Sequence, residues 1–245
     1  MISNGAVILS NQYDDEGNLV GRSGLTIGNG TDNSMELVIN PALNENETSG
    51  IFELASFDTG EMDEFDNPIL RHTTLTLTGS SEISKDANVN IGNETTLIIN
   101  STSNDGIVLN YDDEYGTGDS VVGNIVLNDG ILTLTNGFDL IPDGTRSYKQ
   151  TGGTLNLIGA DFVLDVNDIE NNPEYSIQNG KVTLSNLYDN EGNLLNVSRL
   201  LVQNGKNNTM EVVINPALNE NEASGVLYID QFDTGEDGSE EHTSE

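Results

Sequence analysis

The chain has 245 residues, of which 41 are acidic and 8 basic, so its formal charge at pH 7 is −33. This charge argues against nucleic acids and anionic membrane surfaces as partners, because both would repel it. The absence of cysteine excludes structural disulfides and thiolate metal sites. No apolar run approaches the length of a membrane span, which needs roughly 18 residues or more.

The beginning of the chain recurs near its end. A shift of 175 positions, which places Asn4 on Asn179, aligns the segment 4–61 with the segment 179–236. Identity is concentrated in two stretches: 12 of 17 positions match over residues 4–20, and 14 of 16 match over residues 35–50. We expect residues 1–245 to form a single repetitive unit, cut from a longer protein, that holds two copies of this segment.

A shorter pattern runs along most of the chain: an aliphatic residue, a turn that ends in glycine, and then alternating apolar positions. Successive glycines of this pattern lie 23 to 27 positions apart, as from Gly130 to Gly153 and from Gly153 to Gly180. Short strands rich in Thr, Val, Ile and Leu between Asn-Gly or Asp-Gly turns indicate an all-β protein. Coils of about 25 residues predict a parallel β-helix, a β-solenoid. The alternative is an antiparallel β-sandwich, because Asn-Gly also suits a two-residue hairpin.

Comparison of the two copies predicts which side chains face the core. Positions that stay apolar in both copies are expected to point inward, with alternating positions outward, as for Glu53 and its counterpart Tyr228. The expected inward residues are Met35, Leu37, Ile39, Phe52 and Leu54, with counterparts Met210, Val212, Ile214, Leu227 and Ile229.

The offset also predicts a distance along the solenoid. An offset of 175 positions divided by coils of about 25 residues makes seven coils. The identical stretches 38–47 and 213–222 are therefore expected seven rungs apart. At ~4.8 Å per rung this is roughly 34 Å.

Three acidic loops are candidate calcium sites, because oxygen-rich loops can hold Ca²⁺ where six or more ligands converge. None has the EF-hand or the Gly-Gly-x-Gly-x-Asp pattern, and Asp and Asn also favour solvated turns, so both interpretations stay open. The candidate ligands are Asp14, Glu16, Asp189, Glu191, Asp112, Asp113 and Asp119. Calcium is the one cofactor that the residues suggest.

No catalytic residues are identified. Glycoside cleavage needs two carboxylates at a set separation, but with 41 acidic residues such a pair arises by chance. The two histidines, His72 and His242, do not match between the two copies, and there is no Gly-x-Ser-x-Gly motif. We therefore predict that the chain is not an enzyme. Tyr13 and Tyr188 recur in the same loop, where they either contact a sugar or partner or pack the loop onto a coil.

The small, Asn- and Thr-rich β segments of residues 148–159 and 177–185 resemble the passenger region of autotransporter-type and filamentous-haemagglutinin-like bacterial adhesins. The resemblance implies a right-handed β-helix, export, and a place outside the cell at the bacterial surface. It implies a stiff stalk or a surface that presents a binding site. The implied partners are a host or environmental surface glycan or protein, and further repeats of the same parent chain. The alternative function is that of a polysaccharide-active β-helix enzyme or a tailspike-like glycan-binding protein.

Overall fold

The structure, a computed structural model, describes residues 3–44, 47–66, 68–110, 119–140, 147–165, 175–204 and 208–229. Over these residues the regular secondary structure is entirely β. The first fourteen strands are β1 (Gly5–Leu9), β2 (Gln12–Tyr13), β3 (Leu19–Gly21), β4 (Ser23–Ile27), β5 (Asn33–Ile39), β6 (Gly50–Leu54), β7 (Phe57–Met62), β8 (Pro68–Arg71), β9 (Thr73–Leu77), β10 (Glu82–Ile83), β11 (Asn88–Ile91), β12 (Thr95–Asn100), β13 (Ile107–Asn110) and β14 (Ser120–Val121). The next thirteen are β15 (Asn124–Asp129), β16 (Ile131–Thr135), β17 (Asp139–Leu140), β18 (Tyr148–Gln150), β19 (Thr154–Ile158), β20 (Asp161–Asp165), β21 (Tyr175–Ile177), β22 (Lys181–Ser185), β23 (Leu187–Tyr188), β24 (Leu194–Asn196), β25 (Arg199–Asn204), β26 (Glu211–Ile214) and β27 (Val226–Ile229).

The strands stack in parallel to form three walls of a β-solenoid of about seven turns. The first wall has the order β9-β12-β15-β18-β21, and the second has β10-β13-β16-β19-β22-β26. The long strand β5 pairs with both β9 and β10, which joins these walls into one sheet, and β1 pairs with the other side of β5. The third wall consists of the sheets β4-β6-β11-β14 and β17-β20-β25-β27. This stacking confirms the predicted parallel β-solenoid; its right-handed sense stays a prediction.

The coil length is close to the predicted value but not uniform. Along the first wall, successive rungs are occupied by Leu75, Leu97, Ile125, Tyr148 and Tyr175, whose numbers differ in turn by 22, 28, 23 and 27. The step from β6 to β11 is longer still, because the antiparallel hairpin β7–β8 is inserted between these two strands. The mean spacing is roughly 27 residues.

The longer steps correct the predicted distance between the two copies. Six strand spacings, rather than seven, separate β5 from its counterpart β26. At ~4.8 Å each this is about 29 Å. The expectation of seven rungs was wrong because it divided the offset by a uniform coil and took no account of hairpins inserted between strands.

The core is a column of apolar side chains between the walls. The side chains of Met35, Leu37, Ile39, Phe52 and Leu54 are buried, as their alternation predicts. Aliphatic residues stack rung on rung, so each coil removes its neighbours' apolar edges from water.

The same expectation is wrong for two residues of the second copy. Ile214 and Ile229 are exposed, and Met210, Val212 and Leu227 are partly buried against the core. These residues belong to the last described coil, where no further described coil covers them. Burial in a solenoid depends on both neighbours of a coil, which sequence alternation alone does not report.

One bend between the first and second walls depends on glycine. Gly153 has a φ of +67°, and a Cβ there would lie 2.6 Å from the carbonyl oxygen of Gly130 in the preceding coil. The turns of adjacent coils therefore approach too closely for a side chain. This is the physical basis of the turn glycines in the short pattern.

Candidate functional site

Each copy of the repeat carries a β-hairpin that docks on the loop of the next coil. In the first copy the hairpin is β2–β3, and it meets the loop that follows β5. The Tyr13 hydroxyl accepts a hydrogen bond from the Leu43 backbone N–H at 2.8 Å, and Asn11 Nδ2 donates to the Thr48 carbonyl at 2.8 Å. Leu43 also packs over the hairpin turn at Gly17. We call this contact, with its hairpin and loop residues, the first seam.

The second copy repeats the contact. The Tyr188 hydroxyl accepts from the Leu218 backbone N–H at 2.7 Å, and Asn186 Nδ2 donates to the Ala223 carbonyl at 2.7 Å. Leu218 packs over Gly192 as Leu43 does over Gly17 in the first copy. We call this contact the second seam.

The seams explain where the two copies are most alike. The stretches with the highest identity, residues 4–20 and 35–50, supply the hairpin and the loop respectively. Thr48 is replaced by Ala223 without loss of the contact, because the asparagine bonds to the backbone carbonyl. Of the two alternatives for the recurring tyrosines, the structure shows the packing of hairpin against loop.

The predicted calcium ligands Asp14 and Asp189 cap the hairpin turns. Asp14 Oδ1 accepts from the backbone N–H groups of Glu16 and Asn18 at 3.0 and 2.8 Å, and Oδ2 accepts from the Asn18 side-chain amide at 3.0 Å. Asp189 makes the same turn with Glu191 and Asn193.

Hydrogen bonds also explain the acidity of these two carboxyl groups. The side-chain amide of Asn18 holds the pKa of Asp14 below its usual value, and the backbone N–H groups of the turn add to this effect. Asn193 does the same to the pKa of Asp189. Much of the acceptor capacity that a cation would use is therefore already engaged within the turn.

The remaining predicted ligands are scattered. Glu16 lies in the first turn and Glu191 in the second, and their hairpins leave the solenoid six strand spacings apart. Asp112 and Asp113 lie outside the described residues. Over the described ranges, no three His, Cys, Asp or Glu side chains are placed to hold one metal ion. Calcium binding by these loops stays a prediction.

Asp119 has a different position, between coils. Its Oδ1 accepts from the Val89 backbone N–H at 2.6 Å and its Oδ2 from the Asn110 backbone N–H at 2.7 Å. The residue is only 8% exposed, and this burial raises the pKa of Asp119 to about 7 although both hydrogen bonds oppose the rise. Asp119 thereby connects β11, a strand of the third wall, to the end of β13 in the second wall.

An open depression of about 360 Å³ lies at the bend between the first and second walls, near the C-terminal end of the described chain. Its charged groups are Lys181 and Glu211, whose Nζ and Oε1 atoms are 3.9 Å apart. It is lined by Gly152, Gly153, Asn179, Gly180, Lys181, Thr209, Met210 and Glu211. With one carboxylate and no aromatic ring, this lining lacks the pair of acids that glycoside cleavage uses.

His72 has structural contacts. Its Nε2 lies 2.8 Å from Thr96 Oγ1 and its Nδ1 3.7 Å from a Glu94 carboxylate oxygen in the next coil. His72 is half-exposed, and these contacts tie its ring to side chains of the next coil. His242 lies outside the described residues.

Sequence patterns did not reveal the unpartnered atoms of the two seams. Asn11 Oδ1 and Glu47 Oε2 in the first seam, and Asn186 Oδ1 and Glu222 Oε2 in the second, are buried without a hydrogen-bond partner. Only the high identity of the two stretches pointed to this region, and identity alone does not show that two stretches touch.

Among the residues that the structure describes, none forms a helix with the length and hydrophobicity needed to cross a membrane. Comparison of the chain with protein-family models, with curated proteins and with solved structures finds no match.

Proposed function

We propose that the chain is a stiff spacer segment of a large repetitive protein at the bacterial cell surface. The observation that carries this proposal is the unbroken parallel ladder from β5 through β10, β13, β16, β19 and β22 to β26. Interstrand hydrogen bonds run along the axis of the solenoid, and the apolar column follows the same axis. Bending or stretching the rod must break both together.

Neighbour-to-neighbour contacts suit such a role. In a solenoid each coil packs mainly on the coil before it and the coil after it, so length is added without any change of fold. Cross-coil contacts between side chains reinforce the stack, as where the Arg199 guanidinium bonds both carboxylate oxygens of Asp161. A protein built this way holds its ends at a set distance.

The surface supports a spacing or presenting role over catalysis. The charge of −33 keeps neighbouring rods apart and the chain soluble. The hairpins and loops lie outside the walls, where a binding site for a surface glycan or protein can be carried without disturbing the coils. Adhesion, export and the bacterial surface location rest on the resemblance to adhesin passenger regions.

Single-molecule stretching tests the spacer role. With the chain held by its two ends, we expect discrete lengthening steps, each the release of one coil of about 27 residues. Such a coil adds roughly 90 Å of extended chain. Gradual lengthening at low force, without steps, would contradict a stiff spacer.

The alternative function needs a separate assay, in which the chain is incubated with neutral and acidic polysaccharides and the products are analysed. The spacer role predicts no shortening of any substrate. If cleavage activity co-purifies with the chain, the spacer role is wrong and the polysaccharide-active alternative takes its place.

A further inference from the structure

In both seams the same two hydrogen-bond acceptors lack a donor. In each, one asparagine amide oxygen and one glutamate carboxylate oxygen are buried without a partner: Asn11 Oδ1 and Glu47 Oε2, then Asn186 Oδ1 and Glu222 Oε2. All four atoms are acceptors. The same two atoms are orphaned in two copies six strand spacings apart, so the deficit is a property of the seam and not of one loop.

The orientation of each asparagine is determined by its other end. Asn186 is only 9% exposed, and its Nδ2 donates to the Ala223 carbonyl at 2.7 Å. Asn11 Nδ2 donates to the Thr48 carbonyl in the same way. Turning either amide over would set its oxygen against a carbonyl oxygen, so Oδ1 must remain on the side without a donor.

The glutamates are chain neighbours of the residues that these asparagines bind. Thr48, whose carbonyl Asn11 binds, directly follows Glu47, and Ala223 directly follows Glu222. In each glutamate Oε1 accepts from a nearby asparagine, Asn44 or Asn219, at 2.8 or 2.7 Å, which leaves Oε2 for another partner. Neither glutamate takes part in the ion pairs found among the described residues.

We propose that each seam binds a hard divalent cation of the Ca²⁺ class, with Asn11 Oδ1 and Glu47 Oε2 as ligands in the first seam. Asn186 Oδ1 and Glu222 Oε2 take the same role in the second. Amide, carboxylate and carbonyl oxygens are the ligands that such cations prefer. Water bound to these oxygens would leave the carboxylate charge unbalanced, in a protein whose charge of −33 concentrates cations around it.

This site is distinct from the acidic turns of Asp14 and Asp189. Its ligands come from a hairpin and from the loop of the next coil, so the bound cation holds two coils together. Because each proposed site has a single carboxylate ligand, the affinity belongs to the weak range of extracellular calcium modules, with Kd on the order of 10⁻⁴–10⁻³ M.

Terbium luminescence tests the proposal on the whole chain. Tb³⁺ replaces Ca²⁺ at oxygen sites, and excited tyrosine sensitises its emission. The chain has no tryptophan, and Tyr13 and Tyr188 lie within the seams, 3.4 and 3.3 Å from the asparagine amides. We expect saturable emission that Ca²⁺ displaces, with two equivalents bound per chain.

Matched variants locate the ion. E47Q/E222Q keeps the shape and the Oε1 acceptor of each glutamate but removes its charge, and is expected to weaken binding roughly tenfold or more. D15N/E220Q removes two exposed acidic charges beside the same seams and is expected to bind within about twofold of the parent chain. If the double variant fails to fold, E47Q and E222Q singly should each halve the stoichiometry.

Two results would overturn the proposal. One is a titration in which E47Q/E222Q, folded by circular dichroism, matches the parent chain, since any bound Tb³⁺ would then lie elsewhere on the acidic surface. The other is the absence of saturable emission, which would assign the buried oxygens to water.

Discussion

At the residue scale, Asp119 shows how one carboxylate can join coils. It accepts two backbone N–H groups, from Val89 and Asn110, while being almost fully buried. Burial outweighs the hydrogen bonds and raises its pKa to about 7, whereas an aspartate in an unfolded chain titrates near 3.9. In the window between these values the folded protein holds a proton that the unfolded chain does not, so stability decreases as the pH rises.

We expect this contribution to disappear in D119N. An asparagine offers one acceptor, so its NH₂ faces a backbone N–H, and we expect the variant to lose about 1–3 kcal/mol of stability at pH 5. Urea unfolding at pH 5 and pH 8 measures both effects. The loss of stability between these pH values should be smaller in D119N; an equal loss in the two proteins would contradict the assigned titration.

At the element scale, turns and hairpins set the geometry that the strands alone leave open. Strand pairing specifies which coils touch, but the bend at Gly153 specifies how closely the turns stack. The seams then attach two hairpins, β2–β3 and β23–β24, to the loops of the next coils. The copies diverge most in residues 21–34, between the two stretches that make the seam.

The bend can be tested with two glycines in opposite settings. In G153A the new Cβ would meet the Gly130 carbonyl in a left-handed backbone conformation, and we expect a loss of about 1–3 kcal/mol in stability. In G28A nothing lies within 4 Å of the new Cβ, so we expect no loss. Urea midpoints measured side by side give the comparison, and equal midpoints would show that close stacking does not govern the bend.

At the scale of the whole molecule, each further coil of the solenoid adds one strand spacing to its length. Equivalent residues of the two hairpins, Asp15 and Asn190, belong to coils that are six strand spacings apart and are both exposed. The rod should therefore hold them about 29 Å apart along its axis.

Spin labels at these two positions measure the separation. The chain has no cysteine, so D15C/N190C provides two labelling sites and no others. Electron–electron distance measurement should give a narrow distribution centred at about 29 Å, the axial rise of six strand spacings, widened only by the label arms. A broad distribution would mean that the coils slide or the hairpins detach, and the rigid spacer would be wrong.

Much of the architecture could be predicted from the sequence. Apolar alternation in Met35, Leu37 and Ile39, and turn glycines every 23 to 27 positions, are local signals that a parallel β-helix imposes on each coil. The same alternation misled at Ile229, because burial there depends on a neighbouring coil that no local pattern describes.

Contacts between coils could not be predicted from local sequence patterns. Asp119, named only as a calcium ligand, bonds backbone groups 30 and 9 residues away, and Asn11 meets Thr48 across 37 residues. The buried acceptors of the seams arise only when the hairpin closes on the loop of the next coil. The sequence alone therefore determined that the chain forms a solenoid, because the apolar alternation makes each strand bury one face and the turn glycines recur at the length of a coil. Hairpin insertions and packing across rungs decided how many coils separate the copies and which polar atoms lie together, because these depend on residues far apart in sequence.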